Sequence, residues 1–132
     1  MAEEKNFENK VKDFLTEQGA WFIKYWSGGV PTKKGMKKFT KDGIPDILAC
    51  VNGLFLAIEL KAPDGRPSVL QLVTLNKIRK AYGIAVLLYP KDFTIFKNMV
   101  IELSKTDADK EQDYFDTVLD DWIRKYKRKG LM

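Results

Sequence analysis

A chain of 132 residues, 45% apolar and with a net charge of +5, has room for one packed domain and contains no apolar run long enough to span a bilayer. Its single cysteine, Cys50, excludes a disulfide framework, and no apolar stretch follows the amino-terminal Ala2-Glu3-Glu4-Lys5, so a cytoplasmic protein is expected, in the host cytoplasm if the owner is viral. Histidine is absent, which removes imidazole bases and leaves carboxylates, lysine, tyrosine and metal as catalytic groups.

Phe7, Val11, Phe14 and Leu15 recur at helical spacing, in a helix that Glu8 begins and Gly19 is placed to end. Residues 20–26 read as a short aromatic strand, with Trp21, Tyr25 and Trp26 expected in the core. Residues 28–43 are too long and too polar for a plain connector and read as a functional or mobile loop. Two apolar runs follow, separated by Asn52-Gly53. The stretch from Pro67 starts a helix with Ser68 and Gln71 at capping-box spacing, Gly83 ends it, and residues 84–89 read as a buried strand. Strand, helix and strand joined by short links predict a right-handed parallel crossover, hence an α/β core with a mixed sheet.

Residues 92–103 read as a short helix completing that core, and residues 105–113 as a polar linker. Phe115, Val118, Leu119, Trp122, Ile123 and Tyr126 then mark an amphipathic helix with a basic end. The expected organisation is a domain over 1–104, with 105–132 as linker and basic helix, part of the same domain or a dimer contact.

The chemistry gathers at the Asn52-Gly53 turn. Asn-Gly between strand-like runs predicts a two-residue hairpin loop, because both positions need φ > 0. Such a loop fixes the register: Val51 opposes Leu54, Cys50 opposes Phe55, and further down the ladder Asp46 opposes Glu59. Since side chains alternate between faces, Ile47, Ala49, Val51, Leu54, Leu56, Ile58 and Leu60 form one apolar face. Asp46, Glu59 and Lys61 share the open end of the other. Two directly opposed carboxylates repel unless a cation lies between them, and Mg²⁺ favours such a site with room for water and phosphate oxygens. The alternative is three charges on a solvated sheet face, with Lys61 neutralising Glu59.

Asp46 after a proline, with Glu59-Leu60-Lys61 closing the next strand, matches the signature of the PD-(D/E)XK metal-dependent nucleases. Glu8, Gly19, Ser27-Gly28-Gly29, Asp42-Gly43-Ile44-Pro45, Gly65-Arg66-Pro67-Ser68, Gln71 and Tyr82-Gly83 follow in an order that resembles the VRR-NUC branch. These are virus-type replication-repair nucleases akin to Holliday-junction resolvases, and the resemblance covers about residues 5–98. It implies a restriction-endonuclease-like core of order α-β-β-β-α-β, with a carboxy-terminal amphipathic helix added.

The resemblance also implies roles. Asp46 and Glu59 would bind Mg²⁺, for which Mn²⁺ substitutes, with the Leu60 backbone carbonyl as a further ligand. Lys61 would orient or deprotonate the attacking water and help neutralise the phosphate. Glu8 would reach the metal through water, although the positive end of its helix alone explains an acid there. Gln71 would lie near the active site or the DNA backbone, although the capping box also accounts for it. DNA contacts are expected from Lys24, Ser27, Lys33, Lys34, Lys37, Lys38, Lys41, Arg66, Ser68 and Gln71; a basic, glycine-containing loop beside a metal site suits a phosphate clamp.

The expected activity is therefore Mg²⁺-dependent DNA cleavage leaving 5′-phosphate and 3′-hydroxyl ends, on four-way junctions, by a homodimer, without organic cofactor or membrane. A flap, nicking or restriction-like endonuclease would use the same centre, because loops and dimer geometry set substrate choice. A DNA-binding module without cleavage is the alternative of another class.

Overall fold

The computed structural model describes residues 2–25, 29–38, 43–103 and 109–132, with backbone alone for 2–4, 29–32, 35–38 and 109–110. A four-stranded mixed sheet is assembled from β1 (Trp21–Lys24), β4 (Ile47–Val51), β5 (Leu54–Leu60) and β6 (Ile84–Leu88), in that spatial order. β1 pairs antiparallel with β4 and β4 with β5, and β6 adds parallel to β5. Among the described residues four α-helices accompany it: α1 (Ala2–Glu17), α2 (Val69–Lys80), α3 (Phe93–Leu103) and α4 (Asp109–Arg128). The fold class is α/β, as expected.

The hairpin follows from its turn. Asn52 and Gly53 have φ of 50° and 80°, the left-handed pair that a two-residue loop requires, and Val51↔Leu54 through Ile47↔Ile58 pair in the predicted register. Alternation then sorts side chains into two cores. On one face Ile47, Ala49, Leu56, Ile58, Val86 and Leu88 meet Phe7, Val11 and Leu15 of α1 and Phe96, Met99 and Val100 of α3. On the other, Ala85 and Leu87 meet Leu72 and Leu75 of α2 and Leu119 and Ile123 of α4. Each fully buried aliphatic or aromatic side chain contributes about 1.5–3 kcal/mol, which lets helices too short to persist alone hold their form. β6 has helices on both faces, so all five of its residues are buried.

α4 belongs to this fold. Besides its apolar stripe, Arg79 of α2 donates to Asp120 (2.7 Å) and to the Asp116 carbonyl (3.2 Å), and the Tyr126 hydroxyl donates to the Pro67 carbonyl (2.6 Å). The stripe packs against α2 and β6 through Leu119, Ile123 and Tyr126. Among the described residues no helix is long and apolar enough to cross a membrane.

Several boundaries differ from the sequence reading. α1 starts at Ala2, so Glu8 lies well inside the helix and its placement near a positive amino terminus fails as an explanation. Residues 28–43 are not one loop: β2 (Gly29–Thr32) and β3 (Gly35–Lys38) pair as an antiparallel hairpin with Lys33 and Lys34 at its turn. α4 begins at Asp109, inside the expected linker, because its first turns are polar helix formers without an apolar stripe. β1 is shorter than predicted, and Trp21 is 67% exposed rather than core; Trp26 lies outside the described residues.

Candidate active site

The open end of the hairpin is where the backbone elements converge. Asp46 lies one residue before β4, and its Oδ2 accepts from the Leu60 N–H at 2.8 Å, which continues the ladder by a side chain where the strand itself has ended. Gly43, with φ of +84°, turns the chain into this position; a Cβ there would stand 3.0 Å from the Leu70 carbonyl oxygen. Residues that share a face pair across β4 and β5, so Asp46 and Glu59 come together as the register demands.

Glu59 is the buried member, 3% exposed, while Asp46 is partly open. Oε2 of Glu59 accepts from Gln71 Nε2 at 2.9 Å and lies 3.5 Å from Lys61 Nζ. Among the described residues Oε1 is buried without a hydrogen-bond partner. Burial pushes the Glu59 carboxyl up, the Asp46 charge pushes it further, and Lys61 only partly offsets them; the result is about 8. Near neutral pH the Glu59 carboxyl therefore holds a proton, which it can share with Asp46; a cation between the two groups would relieve the same repulsion.

Gln71 combines the cap with contacts to both charged neighbours. As third residue of α2 it closes the capping box: its N–H donates to Ser68 Oγ (3.1 Å) and its Oε1 accepts from the Ser68 N–H (2.9 Å). The same Oε1 accepts from Lys61 Nζ at 2.9 Å, while Nε2 holds Glu59. The cap thus positions the two charged side chains of the site. Ser68 serves that cap, and Arg66 is exposed at the rim.

Glu8 arrives from α1 and Lys24 from the end of β1. Their side chains are hydrogen-bonded to each other, Lys12 adds an ion pair to Glu8 at 3.3 Å, and Lys24 Nζ is 3.9 Å from Asp46 Oδ1. Burial opposes ionisation of Glu8, but Lys24 and Lys12 outweigh it and hold its carboxyl below the usual value. Sequence reasoning placed Lys24 on the DNA alone and missed its contact with the acids. The signal was present but indirect: Lys24 ends the strand that pairs with the Asp46 strand, opposite Ile47.

An open cleft of about 800 Å³ joins these groups: Glu8, Lys24, Asp46, Glu59 and Lys61 line it, with Lys5, Lys10 and Arg66 supplying further positive charge. Lys5 and Lys10 were not singled out from the sequence, because charges on an exposed helix carry no pattern of their own. Lys33 and Lys34 are exposed at the β2–β3 turn, and Lys37 and Lys38 fall on β3. Ser27 and Lys41 lie outside the described residues.

The donors are compatible with a divalent cation: among the described residues Glu59 Oε1 is a buried carboxylate oxygen without a hydrogen-bond partner, next to a second carboxylate, where either a proton or a cation would relieve the repulsion. Among the described residues no three His, Cys, Asp or Glu side chains are grouped to hold a metal. Asp46 and Glu59 supply two carboxylates, and Glu8 is engaged by lysines. An extended residue sends N–H and C=O to the same edge, so the Leu60 carbonyl faces the Asp46 side with its N–H. Two carboxylates and a carbonyl leave positions for water and phosphate, which suits Mg²⁺. Compared with protein-family models, curated proteins and solved structures, the chain matches none of them.

Proposed function

We propose that this chain is a Mg²⁺-dependent DNA endonuclease with a restriction-endonuclease-like core of the PD-(D/E)XK, VRR-NUC type. The observation that carries this reading is the Asp46–Glu59 pair, one oxygen of it buried and unpartnered, beside Lys61 in a basic cleft. Asp46, Glu59 and the Leu60 carbonyl would hold the metal, which supplies Lewis-acid stabilisation of the phosphate and activation of water. Gln71 holds Lys61 Nζ facing the cleft, where it can orient a water or take up charge on a phosphate oxygen. Lys5, Lys10 and Arg66 bind the backbone on either side, an interaction without sequence preference and steeply weakened by salt.

The proposed substrate is a four-way junction cut by a homodimer. The Asp46–Glu59 pair makes one centre per chain, so paired incisions would call for two copies related by symmetry. An uncovered apolar surface supports a second copy: Trp21 and Phe55 flank Cys50 on one sheet face, 67% and 47% exposed, with Ile23 beside them.

The test is cleavage of labelled four-way junction, flap and linear duplex by the purified protein with Mg²⁺, Mn²⁺ or chelator. Metal-dependent cutting, strongest on junctions, is expected, and Asp46→Ala should abolish cutting while binding survives. No cleavage with either metal would overturn the nuclease assignment. Linear duplex cut as readily as junctions would overturn the substrate, and a monomer by light scattering the dimer.

A further inference from the structure

Lys24 is positioned to do something other than bind a phosphate. Its Nζ is hydrogen-bonded to Glu8 and stands 3.9 Å from Asp46 Oδ1, so a positive side chain from β1 already faces one of the two carboxylates assigned to the metal. Lys12, one turn along α1, holds Glu8 from its other side, leaving Glu8 a fixed anchor for Lys24. Lys61, the other cation of the site, is on the Glu59 side, bonded to Gln71. Each carboxylate of the pair thus has its own lysine, but the two lysines differ in freedom. Lys61 is 14% exposed and locked by Gln71, whereas Lys24 is 38% exposed and opens onto the cleft.

We propose that Lys24 is a displaceable stand-in for the metal: its amine partly neutralises Asp46 in the metal-free protein, and metal entry moves it off Asp46 while Glu8 keeps it tethered. The proposal rests on the metal-dependent reading above and concerns regulation of that same centre. Its physical basis is competition between like charges for one carboxylate. Two unit charges about 4 Å apart in water-like surroundings change an affinity by about fivefold, and a divalent ion doubles the interaction. Movement of the lysine relieves part of that repulsion, so removing its charge should tighten metal binding by about tenfold. A lysine that merely held Asp46 in place would act with the opposite sign, since its loss would loosen a ligand and weaken the metal.

The experiment is calorimetric titration of the purified, metal-free protein with Mn²⁺, in the absence of nucleic acid. Lys24→Met and Lys24→Gln are expected to bind about tenfold more tightly than wild type, and Lys24→Arg, which keeps the charge, to stay within about twofold of it. Thermal unfolding of each variant checks that the fold is retained, and two neutral substitutions guard against one failing to fold. Unchanged or weaker binding by both neutral variants, with wild type still binding Mn²⁺ and Asp46→Asn not, overturns the stand-in role and leaves the metal centre intact. Absence of Mn²⁺ binding in wild type overturns the metal centre and the stand-in with it.

Discussion

Replacing Glu59 by glutamine should stabilise the metal-free protein at alkaline pH, although it destroys a proposed metal ligand. The folded Glu59 carboxyl is raised from 4.5 to about 8, chiefly by burial and then by Asp46. At about 1.4 kcal/mol per pH unit, ionising it in the folded state costs about 5 kcal/mol at most. The sign follows from which state holds the proton. Below about 4.5 both states keep it and no penalty arises. Between about 4.5 and about 8 the folded chain holds a proton that the unfolded chain has lost, so stability falls as pH rises. Above about 8 the penalty is complete.

Glutamine cannot ionise, yet it keeps an oxygen to accept the Gln71 Nε2 hydrogen bond and offers an N–H where Asp46 can accept. Urea unfolding in chelator should show Glu59→Gln close to wild type near pH 5 and more stable by several kcal/mol near pH 9. Mg²⁺ should restore wild type and leave the variant unchanged, since a ligand stabilises only the state that binds it. A variant no more stable than wild type near pH 9, or a difference that does not grow with pH, would refute the account of Glu59 as a charge awaiting a partner.

Other perturbations test neighbouring parts of the argument. Metal binding at about pH 7 should release close to one proton, and affinity should rise with pH toward about 8, as Glu59 must ionise to ligate; titrations in buffers of different ionisation heat measure this, and zero release would contradict it. Gly43→Ala combines a left-handed φ with a Cβ 3.0 Å from backbone, so thermal unfolding should show a loss of about 1–3 kcal/mol and a weakened site. Leu119→Ala should cost about 2–5 kcal/mol in urea unfolding, because the residue is 1% exposed between α2 and β6; a negligible cost would make α4 an appended arm instead of core.

What could be read from the sequence was whatever local chemistry enforces. Asn52-Gly53 dictates a turn, the turn dictates a register, and the register dictates that Asp46 meets Glu59. Ser68 and Gln71 announce their capping box in the same way. The β2–β3 hairpin gave no such notice, since Gly29–Thr32 and Gly35–Lys38 lack the alternating apolar residues by which a half-buried strand declares itself. Trp21 misled for a global reason. Its burial depends on whether a helix covers that part of the sheet, and α2 and α4 pack over β5 and β6 instead. The Lys24–Glu8 contact is likewise tertiary, joining α1 to β1 across sixteen positions with no pattern to mark it.

The difference between Asp46 and Glu59 explains how the proposed two-carboxylate site remains folded in the absence of a cation. Two fully buried acids would each demand a partner, and breaking such an arrangement costs several kcal/mol. Here only Glu59 is buried; Asp46 stays partly in water and takes a backbone N–H and the nearby Lys24. The strain is therefore concentrated on one group that can escape it by holding a proton near neutral pH. Under the proposed metal-dependent function, protonation relieves the metal-free site, ionisation would prepare the ligand, and the same burial that makes the carboxylate costly in isolation would favour a divalent ion as its partner.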